Sequence, residues 1–127
     1  MIVLQLADLG VPRSEIDIPA VEFDDGLAGS FVLERAIPYR LFEIPMINVL
    51  RTRTLSETRG FLKALAASDD GILGFTAFGT GAGEIMAVVQ AAMPAKTPYS
   101  GVRDAVVTHP AIAESLAVLF NSVPIHK

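Results

Sequence analysis

The chain has 127 residues, 10 basic and 14 acidic side chains, a net charge of −4 and no cysteine. At that length it forms one domain that buries about two thirds of the surface its unfolded chain exposes, and without cysteine it has no disulfide framework, thiolate zinc site, iron–sulfur cluster or thiol nucleophile. The acidic balance and the scattered basic residues exclude a nucleic-acid surface, which needs clustered Lys and Arg.

The opening Met1-Ile-Val-Leu-Gln-Leu-Ala7 reads as a core strand or a docked terminal segment. It has no basic leader or small-residue cleavage pattern and is closed by Asp8, so it is not read as a signal peptide and the expected setting is cytoplasmic. Pro12, Pro19, Pro38 and Pro45 divide the first third into short pieces. Proline removes a backbone donor and biases its predecessor toward extended geometry, so short strands are expected there. Asp24-Asp25-Gly26 with Gly29 marks a turn between Phe23 and Phe31, and Ser14-Glu15 opens a single helical turn. Residues 1–44 are expected to form an atypical N-terminal segment of the same compact unit as 45–127.

From Met46 to Thr54, Ile47 and Val49 fall in step with Arg51 and Arg53, which predicts a strand with one wet end. Gly60 to Ala67 and Ile72 to Phe78 are apolar runs joined by Ser68-Asp69-Asp70-Gly71. The Asp-Gly step supplies the positive φ of a tight turn, so a hairpin is predicted. Glu84 to Met93 switches to helical period, with Glu84 at the positive end of the dipole and Pro94 as terminator. Ser100 is a candidate N-cap for a second helix through Val107, and His109-Pro110 opens a third from Ala111 to Phe120. Strands followed by helices predict an α+β fold: an antiparallel sheet of three to five strands with about three C-terminal helices on one face. Hydrophobic residues make up 51% of the chain and the mean hydropathy is +0.47. For so small a chain this implies apolar surface covered by another chain, since no apolar run approaches the roughly 20 residues of a membrane span.

Three constellations bear on chemistry. Gly79-Thr-Gly-Ala-Gly83 sits between a strand and a helix, as a dinucleotide-binding turn does. Its third glycine comes one residue early, Glu84 places negative charge where a phosphate sits, and the helix leads to Pro94, so a tight strand-to-helix turn is preferred. His109 and Glu114 form the sharper pair: about one helical turn apart, the carboxylate reaches back to the imidazole, favours its charged form and fixes its tautomer, as acid/base work requires. The competing reading makes His109 an N-cap residue and Glu114 a partner of the helix dipole. Arg51, Arg53, Arg59 and Lys63 read as a solvated basic stripe on the sheet, and His126 as solvated and silent. No metal-ligand cluster and no serine in a nucleophile setting is visible.

The segment Pro45–Phe120 resembles the C-terminal dimerisation domain of the flavin-dependent pyridine nucleotide–disulfide oxidoreductases, the family of glutathione reductase, dihydrolipoamide dehydrogenase and mercuric reductase. The likeness rests on Pro45-Met46, Arg51, Gly60-Phe61-x-Lys63, Ile72-Leu73-Gly74, Gly79, Ala82-Gly83-Glu84-Ile85, Gln90, Pro98-Tyr99, Arg103 and His109-Pro110-x-x-x-Glu114, in order and at the family's spacing. Glu84-Ile-Met-Ala-Val-Val-Gln90 and Ala113-Glu114-Ser-Leu116 resemble the mercuric reductase-like branch most. The resemblance implies a two-fold homodimer in which a His-Pro loop reaches the partner subunit's flavin and redox dithiol. It assigns His109 as acid/base toward the thiol and Glu114 as the group that orients it. Where the family carries Thr after the proline, completing a capping box with the glutamate, this chain has Ala111. Losing that hydroxyl costs the helix terminus about 1 kcal/mol.

The family's flavin and nicotinamide domains, its Cys-x-x-x-x-Cys dithiol, the C-terminal cysteine pair of mercuric reductases and the opening Thr-Asp-Pro strand are not found in this sequence. FAD is therefore expected only through a partner flavoprotein, with no cofactor or metal held by this chain, and the chain alone is not expected to turn over. The expected function is a homodimerising module without independent catalysis, with an interface of about 2,000 Å² or more. Two alternatives stand beside it: the C-terminal subunit of a split flavoprotein reductase supplying His109 in trans, and a small-molecule binding module shaped by residues 1–44.

Overall fold

The computed structural model describes residues 2–6, by their backbone, and residues 38–126. The expected turn at Asp24–Gly26 and the helical turn at Ser14-Glu15 lie outside the described residues.

The architecture is α+β. Strands β1 (Ile2–Leu6), β2 (Tyr39–Pro45), β3 (Gly60–Ala67), β4 (Ile72–Gly79) and β5 (Ile125–His126) form one antiparallel sheet in the order β1-β4-β3-β2-β5. The opening segment is thus a strand, paired from Ile2 opposite Phe78 to Leu6 opposite Gly74. The hairpin forms as predicted: Ala67 N–H donates to the Gly71 carbonyl at 2.8 Å and Asp70 N–H to the Ala67 carbonyl at 3.1 Å. Its positive φ of 69° falls on Asp70 rather than on the glycine. Aspartate tolerates this region because its short polar side chain bonds locally.

The helices are α1 (Leu50–Thr54), α2 (Ala82–Ala92), α3 (Tyr99–Arg103) and α4 (Ser115–Phe120), with 3-10 turns at Met46–Asn48 and Ile112–Glu114. One sheet face supplies Phe42, Ile44, Leu62, Ala64, Phe75 and Ala77 to a core completed by Ile85, Met86 and Val89 of α2 and Leu116, Leu119 and Phe120 of α4. The alternation on the strands and the 3–4 residue spacing on the helices bring these apolar faces together. No helix of the described residues is long and apolar enough to cross a membrane.

Three boundaries differ from expectation. Residues 46–54 are not a strand but the 3-10 turn and α1 joined by an extended Val49: Met46, Val49 and Thr52 are buried and Ile47 and Leu50 exposed, a period of three. The buried Thr52 hydroxyl fixes this turn, lying 2.5 Å from the Met46 carbonyl and 2.9 Å from that of Val49. The helix expected from Ser100 to Val107 runs only from Tyr99 to Arg103, with Pro98, extended at φ −65°, as its N-cap. The helix expected from Ala111 begins as the 3-10 turn and becomes α-helical only at Ser115. Ala111, extended at φ −108°, is its N-cap, so Pro110 and His109 both lie outside the helix. The His109–Pro110 peptide bond is cis.

Candidate functional site

The site is built where β4 turns into α2. Gly79 and Gly81 carry positive φ values of 128° and 71°, conformations that favour glycine. Both are covered by protein: a Cβ at Gly79 would lie 2.6 Å from the Arg59 carbonyl oxygen, and one at Gly81 would lie 2.7 Å from Ile112 Cγ1. The glycine-rich sequence is a tight strand-to-helix turn whose glycines admit neighbouring chain, with the exposed Glu84 in the first turn of α2.

Ile112, seated on Gly81, starts the turn that carries Glu114, and this turn brings the two predicted residues together. His109 Nδ1 lies 2.7 Å from Glu114 Oε1, while Glu114 Oε2 accepts the Ala111 N–H at 3.2 Å. Each carboxylate oxygen thus has its own partner. The two competing readings of the pair merge in part: Glu114 serves the helix terminus through Ala111 and the imidazole through His109, but the N-cap is Ala111 and not His109. Half of the capping box is present, and the missing half is the hydroxyl that Ala111 lacks.

The imidazole is 65% exposed and the carboxylate 27%. An ionised carboxylate only accepts hydrogen bonds, so the proton is assigned to Nδ1 and the free ring atom is Nε2. The arrangement has defined chemical capacity: Nε2 takes a proton when the ring is neutral and delivers one when it is charged, with Glu114 balancing the imidazolium.

The other sequence candidates do not converge on it. The basic stripe does not form on the sheet: only Lys63 lies in a strand, 3.6 Å from Glu43 and 5.4 Å above the Phe61 ring, whereas Arg51 and Arg53 belong to α1 and Arg59 precedes β3. His126 is exposed at the sheet edge, in β5. Among the described residues no group of three His, Cys, Asp or Glu is placed to hold a metal ion.

A cluster at the opposite end of the hairpin was not foreseen. Arg40 donates to Asp70 at 2.5 Å and to the Ala67 carbonyl at 2.7 Å through Nη2, and to the Tyr99 hydroxyl at 3.3 Å through Nη1. The Asp70 hydrogen bond holds the guanidinium above its ordinary pKa, against partial desolvation. Arg103 also approaches Tyr99, at 5.9 Å from the ring centroid, and its hydrogen bonds hold the Asp104 carboxyl below the usual range. Separations of 30 and 59 residues leave no local signal for such a cluster.

Comparison with known proteins gives a consistent relationship. Residues 26–119 match the pyridine nucleotide-disulphide oxidoreductase dimerisation domain. The chain is 31% identical over 99 residues to the probable pyridine nucleotide-disulfide oxidoreductase RclA of Escherichia coli, a match covering 77% of this chain and 22% of that protein. Among solved structures it is similar to the Cu(II) complex of the HOCl-induced flavoprotein disulfide reductase RclA from Escherichia coli, with a TM-score of 0.69 and 32% identity over 72% of this chain and 21% of that one. A Mycobacterium tuberculosis protein, LpdA, shares the fold with a TM-score of 0.63 at 15% identity, covering 72% of this chain and 20% of that one. The chain therefore spans about a fifth of the length of the relatives it matches.

Proposed function

The chain belongs to the pyridine nucleotide-disulphide oxidoreductase dimerisation-domain family, and from that membership we propose that it pairs with a second copy of itself and presents His109 at the seam, without independent catalysis. Within the family, Glu84–Gln90 and Ala113–Leu116 favour the mercuric reductase-like branch, and the reading keeps a cytoplasmic setting. The observation that carries it is the way His109 is held: among the described residues its hydrogen bond is made through Nδ1 to Glu114, with the ring 65% exposed, which leaves Nε2 for another partner.

FAD, which the family implies, does not fit the glycine turn between β4 and α2. The glycine turn is filled by Arg59 and Ile112, and Glu84 would oppose a phosphate. In this reading flavin is held elsewhere, and the chain contributes a proton-carrying imidazole whose orientation it fixes. The apolar side chains left on the surface, Ile47, Leu50, Leu55 and Val118 among them, supply surface for a second copy to cover.

Pairing is tested by the dependence of thermal stability on concentration. A folded state that includes a second copy is stabilised by mass action, so the unfolding midpoint falls on about ten-fold dilution of the chain. A midpoint unchanged across the dilution series contradicts the proposal.

A further inference from the structure

The contact between Gly81 and Ile112 does more than fill space. Ile112 Cγ1, Cγ2 and Cβ lie 2.7, 3.2 and 3.3 Å from the point a Cβ at Gly81 would occupy, so any side chain at 81 displaces the root of Ile112 and not merely its tip. Ile112 is the first residue of the turn capped by Ala111 and ended by Glu114, and it packs on the main core. Ala111 N–H and His109 Nδ1 in turn hold the two oxygens of Glu114. A chain of contacts thus leads from the positive-φ turn after β4 to the imidazole.

We propose that Gly81 and Ile112 are positioning residues for His109: their contact sets the Ala111–Glu114 turn and thereby holds the imidazole as the Nδ1–H tautomer with Nε2 outward. The inference rests on the His109 role proposed above, but its readout is the imidazole itself and not activity. Because Gly81 stands at φ 71°, a side chain there is strained whatever the space, so the fit of the 81–112 contact is read from the Ile112 side, by shortening that side chain with and without its branched root.

The experiment records imidazole nitrogen chemical shifts and one-bond and long-range couplings of His109 in the 15N-labelled full chain, at a pH where the ring is neutral. In the parent chain the Nδ1–H pattern is expected. Gly81→Ala and Ile112→Ala each lose it toward the mixed-tautomer pattern of a free imidazole, whereas Ile112→Val, which keeps the branched root seated on Gly81, retains it. Glu114→Ala supplies the reference for a ring without an acceptor at Nδ1, since the amide oxygen of a Gln can still accept that bond. An Ile112→Ala chain that retains the parent pattern, or an Ile112→Val chain that loses it, overturns the positioning role. Should Gly81→Ala not fold, Ile112→Ala alone decides, by losing or keeping the pattern. A Glu114→Ala chain with the parent pattern shows instead that residue 114 does not set the tautomer, which removes the premise for positioning as well and locates the failure in the His109–Glu114 pair.

Discussion

Ala111 occupies an N-cap with the right backbone and the wrong side chain. Its extended conformation and its N–H, donated to Glu114, are what a capping box requires, and only the side-chain oxygen is lacking, the N3 amide of Glu114 donating instead to the Ala111 carbonyl at 3.3 Å. Ala111→Thr supplies that oxygen and is predicted to raise stability by about 1 kcal/mol in chemical denaturation. No gain would show that the 3-10 start of this turn cannot use the bond. The five-residue separation of His109 and Glu114 made their pairing legible in the sequence, but not its route: the sequence suggests a helical turn, whereas an extended Ala111 and the 3-10 turn after it bring the two side chains together, with His109 outside the helix. The partners of Arg40 were not legible, since Asp70 and Tyr99 meet it only after the hairpin and α3 have folded over β2.

Among the elements, β3, β4 and α2 were readable because their apolar periods were unmixed and their ends were punctuated by Asp70-Gly71 and Pro94. The segment 46–54 was misread for a physical reason. Apolar residues occupy Met46, Ile47, Val49 and Leu50, a set that fits alternation and a three-residue repeat equally well, and Thr52 decides between them through its bonds to the Met46 and Val49 carbonyls. Replacing that hydroxyl by a methyl in Thr52→Val keeps the shape and removes both side-chain bonds, while the Met46 and Val49 carbonyls keep the backbone N–H groups of Val49 and Arg53. The predicted loss is about 0.5–1.5 kcal/mol of unfolding free energy. A neutral result would mean that side-chain burial alone holds the turn.

For the molecule as a whole, the sheet and its helices bury one apolar face, yet Ile47, Leu50, Leu55, Val118 and Ile125 remain exposed. The high hydropathy expected to serve a second chain is therefore partly visible on the surface, and membership of a dimerisation-domain family supplies its meaning. The central claim, that an identical copy belongs to the working assembly, is met most directly by light scattering on the purified chain at micromolar concentration. The account predicts a molar mass of two copies of the 13.5 kDa chain. Particles of single-chain mass at that concentration would contradict it.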